Sequence, residues 1–332
     1  MAIQVNGTTV IDNSRNLQNV QGIKTVGGQS ILGSGDISTG STPGEFGVGA
    51  LWQQRSAGTQ NQYLNITTDG STWLISVKGD EIHTSTDNGA NWTQRNTNIG
   101  QYYRTLSSCA TDNGTNWVVL GENAVCATST NNAVTWTERS HPHFGYDQYC
   151  LAGGAQGYFV GGGIGGRLST STNGGQSWTV RTSGLSGVIR DAASDGTNWV
   201  VVGDSGTIIT STNSTLSSWT SRTSGTINAL YGVATDGSGT WVAVGYGGEI
   251  ITSTNNGVSW TSRNSSTTRT LYEIATDGTS WVAVGESGIV CVSTNATDWS
   301  IYPVAGTTTF YDVAGYSGKW VACGASGNLW AT

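Results

Sequence analysis

The sequence predicts an all-β protein made of seven small sheets arranged in a ring. Three observations lead to this prediction: a repeated aromatic strand, regular glycine turns and a last repeat that is split between the chain ends. An aromatic residue opens an apolar strand seven times, at intervals of about forty residues, the period of a four-stranded propeller blade. These aromatic residues are Trp73, Trp117, Tyr158, Trp199, Trp241, Trp281 and Trp320. The spacing therefore indicates a seven-bladed β-propeller.

The four strands of one blade are clearest around residues 241–263. A first apolar run covers residues 230–235, a second 241–245 and a third 249–254, and the fourth strand begins at Trp260. Glycine-rich turns separate the runs, as expected of tight hairpins. One sheet of this size is not stable alone, but seven sheets packed face to face bury both faces of each.

The last repeat contains only three strands, between residues 310 and 332. The Trp-x-x-Arg pattern that starts the fourth strand in other repeats, as at Trp260 and Arg263, occurs near the other end of the chain at Trp52 and Arg55. We therefore expect a strand at residues 50–56 to complete the seventh blade, so that no long sheet edge is left open.

The turn before the fourth strand has a recurring sequence, which is STDNGANW at residues 85–92. It resembles the Asp-box, the Ser-x-Asp-x-Gly-x-x-Trp turn of sialidase-type and related propellers. We expect the acid or amide to accept backbone N–H bonds, the glycine to supply a positive φ and the tryptophan to fill the gap between blades. The residues in the acid position are Asp87, Asn131, Asn173, Asn213, Asn255 and Asn295. In the family that this turn resembles, it is a folding element, so a structural role is implied.

The first part of the chain lies outside the repeat. It contains QVNGTTVIDNSRNL at residues 4–17 and KTVGGQSILGSGDI at residues 24–37. These runs resemble segments that recur in bacteriophage tail fibres and related virion fibre proteins. The resemblance implies that residues 1–37 attach to another chain or assemble as a trimer, with a flexible leader as the alternative. We expect a flexible linker at residues 38–49 and the propeller at 50–332.

The composition and the sequence pattern argue against several classes of function. The net charge of -7 and the 11% of charged residues disfavour binding to a nucleic-acid backbone. The start of the chain lacks the features of a signal peptide, and no apolar run is long enough to span a membrane. The five cysteines lack metal-site spacing, and we expect them to be buried apolar residues. We expect no cofactor or metal, and His141 and His143 are interpreted as solvated loop residues.

The candidate site lies on the face formed by the loops between blades and the hairpins between second and third strands. Alignment of the first strands places aromatic residues or arginine at one position and acids at the next, while loops add two further arginines. The candidate residues are Tyr149, Arg190, Tyr231, Tyr272 and Tyr311, then Asp191, Glu273 and Asp312, and finally Arg104 and Arg269. Such residues suit a glycan, because sugar rings stack on tyrosine and hydroxyls bind carboxylate and guanidinium groups. The alternative is tyrosine packing and acids along a wet axis, which the symmetry of repeats alone would produce.

The favoured hypothesis is a phage virion structural protein of the tail-fibre or adhesin type. It would assemble in the host cytoplasm, dock on other virion proteins through residues 1–37 as a homotrimer or in many copies, and display the propeller outside the cell to a host glycan. A capsid or tail decoration protein without receptor binding is the alternative.

Two other classes are weighed against this hypothesis. A sialidase-like glycoside hydrolase would bring Arg104, Arg190 and Arg269 together with Tyr272 and Glu273, although sialidase propellers have six blades. The Val-Gly-x-x-Gly-x-Ile strands, as at residues 244–250, also resemble those of seven-bladed photosystem II assembly proteins. The basic patch and targeting leader of those proteins are not found in this sequence.

Overall fold

The computed structural model describes residues 52–97, 99, 104–112, 114–212, 216–302 and 308–332, together with four short strands nearer the start of the chain. These strands form two antiparallel pairs, Ile3–Val5 with Thr8–Ile11 and Thr25–Val26 with Gln29–Ser30. The rest of the proposed attachment segment, the linker at 38–49 and Asn213 lie outside the described residues.

Seven four-stranded antiparallel sheets form the blades of a β-propeller, as the sequence predicts. The first strand of each blade lines the central channel and the fourth lies at the rim. Blade 1 contains Tyr63–Thr68, Trp73–Val77, Glu81–Ser85 and Thr93–Asn96; blade 2 contains Ser108–Thr111, Trp117–Leu120, Cys126–Ser129 and Thr137–Arg139. Blade 3 contains Gln148–Gly154, Tyr158–Gly163, Leu168–Ser171 and Thr179–Arg181; blade 4 contains Ile189–Ser194, Trp199–Gly203, Ile208–Ser211 and Thr220–Arg222. Blade 5 contains Leu230–Thr235, Trp241–Gly245, Ile250–Ser253 and Thr261–Arg263; blade 6 contains Leu271–Thr276, Trp281–Gly285, Val290–Ser293 and Ser300–Ile301; blade 7 contains Phe310–Tyr316, Lys319–Gly324, Leu329–Ala331 and Gln53–Arg55.

The ring is closed by a strand from the other end of the chain, which confirms the prediction. Gln53–Arg55 pairs antiparallel with Leu329–Ala331, with Gln54 opposite Trp330. The observed strand is shorter than the predicted 50–56, but the buried Trp52 beside it packs between blades 6 and 7. Closure therefore provides both backbone pairing and an apolar anchor.

The hydrophobic core is divided among the seven interfaces between neighbouring blades. In blade 5, Trp241 and Ala243 pack toward blade 4, whereas Val242 and Val244 pack toward blade 6. Side chains alternate between the two faces of a strand, so the second strand is buried on both sides. This explains why it is a continuous apolar run rather than an alternating one.

The turns that run from serine to tryptophan before the fourth strand have the predicted geometry. Asp87 Oδ1 accepts the Asn91 backbone N–H at 2.9 Å, and Asn173 Oδ1 accepts the Ser177 N–H at 3.0 Å. Equivalent bonds form at Asn131, Asn255 and Asn295. An amide replaces the acid because the turn requires only an oxygen acceptor. At the glycine position, φ is +80° in Gly89 and +59° in Ala133, so alanine adopts the left-handed conformation here.

The cysteines and histidines are structural residues. All five cysteines are buried and unpaired, as expected. His141 and His143 are also buried, so the expectation of solvated imidazoles was wrong. Their loop packs on blade 3, where His141 Nε2 lies 2.9 Å from Ser169 Oγ. Burial, with a smaller effect of His143, lowers the pKa of His141 to about 3.

The described ranges contain no group of three or more His, Cys, Asp or Glu side chains that could hold a metal ion. No helix within them is long and apolar enough to cross a membrane.

Candidate functional site

A β-bulge near the start of the first strand positions the candidate ring. In blades 1 and 3 to 7, two residues of the first strand face one residue of the second, as where Leu271 pairs with Gly285 and Glu273 with Val284. The residue between them, Tyr272 in blade 6, is left outside the ladder. In each of these six blades, the bulge thus turns one side chain toward the mouth of the central channel.

These bulge residues line one open cavity of about 380 Å³, which we call the tyrosine cup. The structure brings together five of the candidate residues on consecutive blades 3 to 7, namely Tyr149, Arg190, Tyr231, Tyr272 and Tyr311. Blades 1 and 2 contribute the smaller Leu64 and Ser107 at the same position. The large side chains therefore form a crescent on one side of the cup rather than a complete ring.

Three tyrosines of the crescent contact one another at steep angles. The rings of Tyr231 and Tyr272 have centroids 5.6 Å apart, and those of Tyr272 and Tyr311 are 6.1 Å apart, with interplanar angles of 54° and 64°. The Arg190 Cζ lies 5.5 Å from the Tyr231 ring centroid. Tilted packing of this kind holds each ring in place and leaves part of it facing the cavity.

Two carboxylates line the cup on the side of blades 2 and 3. Glu122, from the hairpin of blade 2, accepts the Thr105 backbone N–H at 3.1 Å. Asp147, from the loop before blade 3, accepts the Asn123 backbone N–H at 3.0 Å. Both carboxylates line the cup and are anchored by the backbone.

Arg190 is the cation of the cup, and its charge is already paired. Its Nε lies 2.8 Å from Asp204 Oδ1, and both side chains are partly buried. Asp204 also accepts the Val188 backbone N–H at 3.3 Å. The pair is therefore a fixed part of the wall.

The three candidate acids lie at and below the floor of the cup. Asp191 and Asp312 line the deeper channel of about 300 Å³, whereas Glu273 borders both the channel and the cup. Asp191 accepts the N–H of Val233 in blade 5 at 2.8 Å, and Asp312 accepts the N–H of Ile66 in blade 1 at 2.6 Å. The Asp191 carboxyl therefore joins blade 4 to blade 5, and the Asp312 carboxyl joins blade 7 to blade 1.

Burial makes these carboxyls weak acids. It raises the pKa of Asp191 to about 7. Burial is also the main cause that raises the pKa values of Glu273 and Asp312 well above the ordinary range, and neighbouring carboxyls in the channel add to it. Each group is favoured in its neutral form because its charge would be poorly solvated there.

We expect Asp191→Asn to stabilise the protein at alkaline pH and not at acidic pH. The folded-state pKa of about 7 lies above the ordinary value of 3.8, so stability is lost as pH rises through 7. Asparagine keeps the acceptor for Val233 and cannot ionise. The free energy of unfolding should rise by on the order of 2 kcal/mol at about pH 8 and change little near pH 4. Urea unfolding across pH measures this, with the exposed Glu138→Gln as control; an equal effect at both pH values would contradict it.

The structure does not bring the remaining two arginines to the cup. The Arg104 Cζ lies 5.6 Å from the ring centroid of Phe144, and Arg269 is exposed in the loop before blade 6. Neither lines the cavity that contains Tyr272 and Glu273. The arginine triad that a sialidase-like site would need is therefore not assembled at the cup.

Exposed apolar side chains lie on one side of the cup, on blades 3 and 5 and the loops before them. Of the eleven large ones in the described part of the chain, six lie on the loops and strand ends of this face. They are Phe144, Tyr146, Tyr149, Ile164, Ile227 and Tyr246. Sequence analysis missed Ile164 and Ile227, although Ile164 occupies the hairpin position of Glu122 and Asp204, where an apolar residue stands out. These side chains add apolar surface beside the open cavity.

Comparison with known proteins supports the fold. No family model and no curated protein sequence matches the chain. Among solved structures, YCF48 from Cyanidioschyzon merolae is similar at 16% identity with a TM-score of 0.69, covering 85% of this chain and 98% of that one. YCF48 bound to D1 peptide has 16% identity and a TM-score of 0.70, with 84% and 96% covered. Virginiamycin B lyase from Staphylococcus aureus has 14% identity and a TM-score of 0.71, with 84% and 98% covered. At these identities the similarity shows the fold alone: the chain is a seven-bladed β-propeller.

Proposed function

We propose that this protein is a virion structural protein of the fibre or adhesin type, whose tyrosine cup binds a glycan on the host surface. The observation that carries the proposal is that the packed rings of Tyr231, Tyr272 and Tyr311 line the same open cavity as the backbone-anchored Glu122 and Asp147. Aromatic faces accept the apolar side of a sugar ring, while carboxylates accept its hydroxyl hydrogens.

The shape of the site suits binding that depends on many copies. A cavity of about 380 Å³ is near the lower end of the range for small-molecule sites. A site of this size holds a short part of a glycan, and its single-site affinity is expected to be modest. Many copies on one particle raise the overall affinity through effective concentration.

The virion assignment is supported by the sequence of residues 4–37, which resembles fibre segments. In this proposal residues 1–37 dock on other virion proteins, in a homotrimer or many copies, and the propeller is exposed. The net charge of -7 fits a protein that does not bind nucleic acid.

A decoration protein without a receptor is the second candidate. It is favoured by the exposed apolar side chains beside the cup, of which Ile227 is 88% exposed and Phe144 is 70% exposed. In this candidate function these side chains pack on another virion protein. A peptide is a related possibility for the ligand, since one YCF48 structure of similar fold has D1 peptide bound.

We expect the double substitution Tyr231→Ala, Tyr272→Ala to weaken glycan binding at least thirtyfold, or about 2 kcal/mol. Binding of the full chain to host cells and to a glycan array measures this, with reaction products followed in the same samples. Tyr316→Ala is the matched control, because Tyr316 is half-exposed at the end of the first strand of blade 7, on the opposite face.

Each result separates the candidates. Saturable binding that the double substitution removes, without products, supports the adhesin. Binding that both tyrosine variants retain contradicts the cup as the site. Release of sugar products would make the protein a glycoside hydrolase, and neither binding nor products would favour the decoration protein.

A further inference from the structure

We propose that the tyrosine cup selects a cationic sugar, one with a free protonated amine, over neutral and acidic sugars. This inference rests on the proposed glycan-binding function and names the class of ligand. Three features of the cup support it, namely the charges that line the cup, the pairing of its one arginine and the arrangement of its aromatic rings.

Two carboxylates are placed to receive a positive charge. Glu122 and Asp147 come from adjacent connections on the side of blades 2 and 3, and both line the cup. Each is held through one carboxylate oxygen by a backbone N–H, as described above. An ammonium group between them would form charge-assisted hydrogen bonds, which are stronger than those of a neutral hydroxyl.

The cup offers little net positive charge to an acidic sugar. Within the described residues, Arg190 is the only positively charged side chain that lines it. The Asp204 carboxylate, 2.8 Å from Arg190 Nε, neutralises that charge. A ligand carboxylate that approached Arg190 would also face the carboxylates of Asp204, Glu122 and Asp147, and like charges at short range repel.

The aromatic crescent also favours a cation. The faces of Tyr231, Tyr272 and Tyr311 carry the negative part of the ring quadrupole, which attracts ammonium groups. Arg190 already uses this interaction within the crescent, where its Cζ lies 5.5 Å from the Tyr231 centroid. The nearby Glu286 carboxylate adds negative charge beside the same rings, and together with burial, the larger cause, it raises the pKa of Tyr272.

The test compares two ligands with the same backbone, a trimer of glucosamine and its fully N-acetylated form. Both are titrated calorimetrically into the full chain at about pH 6, where the free amine is protonated. We expect the amine form to bind at least about tenfold more tightly at low salt. The preference should shrink in high salt, because exposed ion pairs are screened.

Variants identify the groups responsible. The double substitution Glu122→Gln, Asp147→Asn should reduce the affinity for the amine form to that for the acetylated form. Glu138→Gln removes one acid from the exposed fourth strand of blade 2 and should preserve the preference. The salt dependence of the unsubstituted protein provides a second measurement if the double variant does not fold.

The outcomes distinguish this inference from the function on which it rests. Equal or tighter binding of the acetylated trimer, or of a sialylated oligosaccharide, would overturn the charge preference while glycan binding stands. Binding of a lysine-rich peptide with no binding of any oligosaccharide would overturn both.

Discussion

A chain that starts at residue 58 is expected to be less stable than one that starts at residue 44 by about 5 kcal/mol. The shorter chain lacks the three-residue strand that pairs with Leu329–Ala331. It also lacks Trp52, which is 8% exposed and packs between blades 6 and 7, and Ala57, which packs between blades 7 and 1. Removal of a buried tryptophan costs about 3–5 kcal/mol, and each lost backbone bond adds about 1 kcal/mol.

Denaturant unfolding of the two truncated chains measures this difference. The chain from residue 44 is the matched control, because it also lacks residues 1–43 but keeps the closing strand. Trp52→Ala in the full chain separates the anchor from the strand and should cost about 3 kcal/mol. Equal unfolding midpoints for the two truncated chains would show that the closing strand contributes little to the ring.

Gly245→Ala is expected to destabilise the protein by about 3 kcal/mol through a steric clash. A Cβ at Gly245 would lie 2.1 Å from the Ala229 carbonyl oxygen. This oxygen comes close because it accepts the Tyr246 backbone N–H at 2.9 Å. The backbone of Gly245 is extended, with φ of -168°, so its conformation alone would admit any residue. The same approach occurs at Gly203, Gly285 and Gly324, which explains the repeated glycine.

Gly247→Ala is the control for this clash. Gly247 has φ of +69° and no atom within 4 Å of its Cβ position, so alanine there has space but an unfavourable backbone conformation. We expect it to cost about 1 kcal/mol. Thermal or denaturant unfolding of both variants checks the difference. Similar losses would mean that the Ala229 contact is not the reason for glycine at 245.

The sequence by itself determined the number of blades, their strands and the closure of the ring. A blade packs only against its neighbours, so the same local pattern must recur in every repeat and can be recognised along the chain. The match of Trp52 and Arg55 to other fourth strands identified the closing strand for this reason. The turn at Asn173 was predictable as well, because its hydrogen bonds join residues only a few positions apart.

Only the tertiary structure decided which side chains meet. The loops between blades do not repeat, so their paths depend on packing with other parts of the ring. Sequence spacing therefore did not show that His141 is buried on blade 3 or that Arg104 and Arg269 lie outside the cup. The bulge in the first strand directs one side chain to the cup, as with Tyr272 in blade 6. The next residue of the strand lies deeper in the channel, as with Asp312 in blade 7, which accepts a hydrogen bond from blade 1. Two neighbouring residues of one short strand therefore have different roles: the first lines the cup, and the second is buried in the channel and joins two blades.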